Sequence, residues 1–230
     1  MNEDNFSLQS IIDAALVEPR EPREIKSWHA SGFGSCPTGR YLERMGVPAD
    51  EEFDERTLRI FSAGKKFEDW VLELGTKQLP EGCVVEEQVR IENPNLGVTG
   101  YADAVVTLPT GKKLVYEIKS KNSNAFHWMR KRGESAMRQH EMQIWLYLET
   151  LEIEEGRILY ISKDDLCMQE AVVMRSDVKL RSEVEAEATL LMRALVEKLP
   201  PPPPTDPTDW RCKYCRWHKQ CVAQEKYLEV

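Results

Sequence analysis

The chain has 230 residues, 41% hydrophobic and 30% charged, with a formal net charge of -8, enough for one sizeable domain or one domain with a small appendage. No run of about 18 apolar residues occurs, which argues against a membrane span, and the acidic start MNEDNFSLQSIIDAAL lacks the basic and then apolar pattern of a secretory signal. The expectation is a soluble, cytoplasmic protein whose six cysteines are metal ligands or catalysts sooner than a disulfide framework.

In chain order, residues 6–17 have the spacing of a short amphipathic helix, and 36–46, CPTGRYLERMG, that of a second one stopped at Gly46. Leu58, Phe61, Phe67, Val71 and Leu74 fall near helical spacing and predict a helix over 57–78, ended by Pro80 and Gly82. Strand-like runs follow at 83–91, 97–107 and 113–119, separated by the turn signals NPNLG and LPTGK. A helix over 134–151, strands at 156–162 and 167–174, and a helix over 177–198 complete a mixed α/β core. The Pro-rich stretch 199–209 cannot continue that helix and reads as a spacer before a cysteine-rich tail over 210–230.

Net charge hides a local pattern. Residues 111–140 hold eight Lys and Arg (Lys112, Lys113, Lys119, Lys121, Arg130, Lys131, Arg132, Arg138) against Glu117 and Glu134. Phe126, His127 and Trp128 interrupt them, an arrangement suited to phosphates and stacked bases, or else a solvated loop with a few anchoring aromatics.

Within 113–119, alternation puts Val115, Glu117 and Lys119 on one face of the strand, away from Leu114, Tyr116 and Ile118. Asp103 on the preceding strand lies within cross-strand reach of Glu117. Such hard oxygen donors suit Mg²⁺ or Mn²⁺, with Lys119 beside the ion to orient a water or steady a phosphate. An isolated Glu-x-Lys would more simply be a surface ion pair on a half-buried strand, so the expectation is that this face is exposed.

The company those residues keep is more specific. Gly100 and Asp103 (G-x-x-D), Glu117 to Lys119 (E-I-K), and Gln143 with Tyr147 (Q-x-x-x-Y) follow one another on two strands and a helix. The set resembles the RecB-like branch of the PD-(D/E)xK nuclease superfamily. That resemblance implies a restriction-endonuclease-like core, with a central mixed sheet flanked by helices, over 57–198. It implies metal ligation by Asp103, Glu117 and the carbonyl of Ile118, with Lys119 positioning or activating the water. Gln143 and Tyr147, helped by Lys121 and Arg130, would hold the DNA strand. The family also places an acidic residue or histidine four positions after a glycine on the preceding helix. Here GKKFED puts Glu68 there, with Asp69 beside it.

Cys212, Cys215 and Cys221 form C-x2-C-x5-C, a strong metal signal in an intracellular chain. The fourth donor is open on spacing alone: His218 would complete a zinc site and Cys36 a four-thiolate set. One N-terminal cysteine followed by Pro, with three C-terminal ones, resembles the iron–sulfur RecB-like exonucleases, CRISPR-associated and phage-borne. That likeness implies a 4Fe-4S cluster joining segment 1–56 to the tail. It further implies an exonuclease acting on single-stranded DNA ends, with recombination or CRISPR-adaptation proteins as partners. The rival readings are a catalytically silent nucleic-acid-binding accessory protein and a zinc-stabilised interaction module. Cys83 and Cys167 sit in apolar runs as small packed residues, and His29, His127 and His140 have no ligand spacing between them.

Overall fold

Alternating apolar positions over 84–174 build one mixed sheet. A computed structural model describes residues 7–17, 25–203, 210–213 and 215–221; the start of the expected helix 6–17, spacer positions 204–209 and the tail beyond 221 lie outside the described residues. The elements run α1 (Leu8–Leu16), β1 (Trp28–His29), a 3₁₀ turn (Ala30–Gly32), α2 (Pro37–Arg44), α3 (Glu55–Lys77), β2 (Val84–Asn93), β3 (Val98–Thr107) and β4 (Lys113–Lys121). They continue as α4 (Ser123–Lys131), α5 (Arg138–Leu151), β5 (Glu155–Ser162), β6 (Met168–Met174), α6 (Val178–Glu197) and α7 (Trp210–Lys213). Strand order is β1-β3-β4-β5-β6, with β2 also on β3. β2–β3, β3–β4 and β5–β6 are antiparallel, whereas β1–β3 and β4–β5 are parallel.

The parallel β4–β5 step needs a crossover, which α4 and α5 supply. Met142 through Leu148 on α5 are all buried, as expected of a helix covered on every side. Ile144, Trp145, Tyr147 and Leu148 share one core with Val115 and Ile158 of the sheet and with Leu180, Val184 and Leu191 of α6. Ile144 passes so close to β5 that a Cβ on Gly156 would fall 2.8 Å from its Cδ1. By contrast α3 has no buried residue and lies across the other side of the sheet. Its Val71, Leu72 and Gly75 form an apolar groove with Leu114, Tyr116 and Ile118 of β4.

β1, α4 and α7 are absent from the expected elements, and α5 starts late. The stretch after Lys121 is a helix, α4, capped by the Asn122 side chain on the Ala125 amide at 2.8 Å and fastened by buried Phe126 and Met129. The helix expected from 134 begins at Arg138, because Gly133 turns the chain with φ +70. Among the described residues no helix is long and apolar enough to cross a membrane.

Candidate active site and thiol cluster

β3 carries Asp103 and β4 carries Glu117 to a place where the sheet forks. The β3–β4 ladder runs only from Thr107↔Lys113 to Ala104↔Tyr116, and further back β3 pairs instead with β1, at Val98 and Thr99. At the fork a side chain replaces the ladder: the Ile118 amide donates to Asp103 Oδ2 at 2.8 Å. Asp103 and Glu117 are 8% and 3% exposed. The face of β4 expected to be exposed is therefore covered, because α5 lies over it.

Glu117 Oε1 accepts from Lys119 Nζ at 2.6 Å and from Gln143 Nε2 at 2.7 Å, while its Oε2 is buried with no hydrogen-bond partner. Gln143 spends its second amide hydrogen on the Tyr147 hydroxyl, at 2.7 Å. Gln143 and Tyr147, expected to grip DNA, are thus sealed beneath Glu117, 4% and 1% exposed. The motif glycine has a packing reason: a Cβ on Gly100 would fall 3.1 Å from Tyr147 Cε1 and 3.2 Å from Ala30 Cβ.

Glu68, on α3, lies close enough for its charge to act on Asp103, Glu117 and Lys119. Its Oε1 accepts from Lys65 Nζ at 2.5 Å and from Gln88 Nε2, on β2, at 2.8 Å. Asp69 is turned outward, paired with Lys65 and Lys66. Nothing in the sequence singles out Gln88, because its contact exists only once α3 and β2 are in place. Burial first, and then the Glu117 charge, raise the Asp103 carboxyl to about 8. Glu117 is also raised, by burial, against the pull of Lys119 and Gln143. Burial opposes the Lys119 charge, but Glu117, Asp103 and Glu68 outweigh it and raise its ammonium. Three carboxylates face one ammonium, and one buried carboxylate oxygen lacks a donor. That excess of hard oxygen fits a divalent cation.

Beside this centre, Lys121 packs its ammonium near the Met137 sulfur and 5.6 Å from the Tyr160 ring centroid. Arg130 is exposed and sits 5.9 Å from the Phe126 ring. Trp128 is 62% exposed with the Arg132 guanidinium 5.0 Å from its ring. His140 donates to or accepts from the Tyr160 hydroxyl through Nδ1 at 2.8 Å. His127 pairs with Asp165 at 2.6 Å, and Cys83 and Cys167 are half-buried.

The segment around Cys215 and Trp217 meets α2. A Cβ on Gly39 would fall 3.5 Å from Cys215 Sγ and 4.0 Å from Cys36 Cβ, so the missing side chain leaves a bed between these two residues. Burial pushes the Cys215 thiol up, and Cys36 adds to it. Cys212 and Cys221 are half-buried on the same segment, where Cys215 N donates to Cys212 O at 3.2 Å and Cys221 N to Trp217 O at 2.9 Å. His218 is exposed. The tail is also secured by Trp217 Nε1 on Val47 O at 2.9 Å, Lys219 N on Asp50 Oδ2 at 2.7 Å and Gln220 Nε2 on Pro48 O at 2.7 Å. α2 is in turn fixed to α6 by buried Arg40, 2.6 Å from Glu187 and 4.3 Å from the Phe33 ring centroid.

No protein-family model matches the chain. Among curated proteins it is similar to the CRISPR-associated exonuclease Cas4 of Saccharolobus solfataricus, 28% identical over 95% of this chain and 97% of that protein. Among solved structures it is similar to SSO0001, at TM-score 0.59 and 20% identity over 96% of this chain and 98% of that one. The alkaline exonuclease LHK-Exo from Laribacter hongkongensis gives TM-score 0.53 at 17% identity, over 82% of this chain and 93% of that one. Its complex with dAMP gives 0.54 at 16%, over 76% and 90%. The fold is the expected restriction-endonuclease-like one, a central mixed sheet flanked by helices, and the resemblance to RecB-like, CRISPR-associated exonucleases is borne out.

Proposed function

We propose that the protein is a divalent-metal-dependent DNA exonuclease that works from single-stranded ends and carries a 4Fe-4S cluster. The coarse activity, DNA exonuclease, is supported by the Cas4 relative along nearly the whole chain. The observation that supports the rest is the donorless Oε2 of Glu117, a carboxylate bonded through its other oxygen to Lys119 and within electrostatic reach of Asp103 and Glu68.

In this reading Asp103, Glu117, Glu68 and the Ile118 carbonyl hold Mg²⁺ or Mn²⁺. When bound, such an ion lowers the pKa of a water and offsets charge on the phosphate. Lys119 Nζ, fixed by Glu117, points a donor at the water or the phosphate. Gln143 aims Glu117, and Tyr147 props Gln143 from below, so both position a ligand before they touch any strand. Asp103, held by the Ile118 amide, cannot swing away. Lys121, Arg130 and the exposed face of α4 guide the strand, with Trp128 offering a surface on which a base stacks. The iron–sulfur reading rests on Cys36 lying beside Cys215 while His218 is exposed. Protein partners in recombination or CRISPR adaptation belong to the same proposal.

End-labelled single- and double-stranded DNA, incubated with Mn²⁺ or with EDTA, test it. Single strands shorten from their ends with Mn²⁺ and stay intact with EDTA. DNA that is bound but never cut would instead favour the silent accessory protein. Anaerobically purified protein is brown, with iron and sulfide in equal amounts. A colourless zinc protein, or a Cys36→Ala variant with undiminished metal, would remove the cluster.

A further inference from the structure

We propose that Gln88 is the positioning residue for Glu68, holding that carboxylate over the forked strands. The inference rests on the divalent-metal reading above and names a residue that the nuclease motifs leave out.

Three observations on β2 carry it. The β2–β3 register pairs Glu87 with Ala104 and Val89 with Ala102, so Gln88 falls level with Asp103, at the one step where the pairing of the two strands is interrupted. Gln88 has φ +51, a left-handed conformation that a residue with a long side chain adopts at a cost. The pairing keeps one register on both sides of it. The turn therefore absorbs no inserted residue, and its effect is to re-aim the Gln88 side chain. That side chain ends in the third observation, the 2.8 Å bond from Nε2 to Glu68 Oε1.

Glu68 needs such a tie. Its side chain is 17% exposed, so it is largely covered, and its polar end is held by hydrogen bonds alone. Its other partner, Lys65, is an exposed neighbour on the same helix, and exposed pairs of this kind hold a geometry weakly. An amide also suits the task chemically. It donates to the same carboxylate oxygen as Lys65 without adding a second positive charge, and leaves the other oxygen open to a cation. Outer partners of metal ligands commonly set affinity by about 10–100-fold.

The test uses the full-length protein and Mn²⁺ alone. Gln88→Gly suits the left-handed backbone and deletes the amide; Gln88→Asn tolerates the same backbone but is too short to reach Glu68. Mn²⁺ binding is measured by titration calorimetry, with the Asp103→Asn variant as the blank, and thermal unfolding is followed in EDTA. Both variants bind Mn²⁺ about 10–100-fold more weakly, melt no lower than the parent in EDTA, and recover cleavage as Mn²⁺ is raised. A parent that binds while both variants match it within twofold overturns the role of Gln88 and leaves the metal reading standing. A parent indistinguishable from Asp103→Asn overturns the metal reading and this inference with it.

Discussion

Replacing Lys119 with methionine isolates what its ammonium does. Its Nζ lies 2.6 Å from Glu117 Oε1, and the two side chains are 25% and 4% exposed. Methionine keeps the length and most of the apolar stem, so the change is close to deletion of the charge. What remains is a buried carboxylate with one donor, Gln143, and a second oxygen with none. Breaking a buried pair costs about 3–5 kcal/mol. The partial exposure of Lys119 argues for the lower end, roughly 3 kcal/mol, which in a domain of this size lowers the melting temperature by roughly 6–12 °C. That loss belongs to EDTA; with Mn²⁺ the gap narrows, because a cation at the carboxylates replaces the missing positive charge. Cleavage falls by about 10²–10⁴-fold even in Mn²⁺ if Lys119 handles the water. Differential scanning fluorimetry with and without EDTA, run beside end-labelled cleavage, reads both effects. A variant that cuts within threefold of the parent, or melts at the same temperature in EDTA, refutes the reasoning.

Four further outcomes follow from other contacts. Gly100→Ala presses a methyl against Tyr147 and Ala30, both essentially unexposed, and destabilises by about 1–3 kcal/mol, seen as a lower urea midpoint at unchanged slope. Burial, then Lys119 and Lys121, hold the His140 imidazole down to about 2 from its usual 6.5. The unfolded chain takes up that proton first, so the contribution is whole above the unfolded pKa and is lost as pH falls, by at most about 1.4 kcal/mol per pH unit. The stability gap between parent and His140→Gln therefore closes by roughly 1 kcal/mol from pH 7 to pH 5.5 in urea titrations; a gap independent of pH removes the claim. Trp128→Ala weakens binding to single-stranded DNA by the worth of one stacked base, about 1–3 kcal/mol, and leaves the salt dependence alone. Arg130→Ala instead reduces the slope of log K against log salt by about 0.7, both read by fluorescence anisotropy.

Much of this was legible in the sequence where the signal is local. Strands β2 to β4 announce themselves by alternation between turn residues, and the nearness of Asp103 to Glu117 follows from two neighbouring strands. α5 is legible as a helix, but not its depth, since complete cover comes from α6 and the sheet together. That is why Gln143 looks like a hand for DNA in the sequence and turns out to brace Glu117. α4 hides because only Phe126 and Met129 mark its inner face within a basic stretch. β1, two residues long, has too little pattern to register. The choice of Glu68 over Asp69 needed the rotation of α3, and the contact of Gln88 needed its backbone angle, which no alternation rule contains.

The bonds from Trp217, Lys219 and Gln220 to residues 47–50 bear on the order of events when the protein is made. They are ordinary amide, indole and carboxylate bonds, indifferent to sulfur chemistry. A newly synthesised chain can thus join residues 47–50 to residues 217–220 before any group binds its cysteines, and under the cluster proposal those bonds outlast the loss of that group.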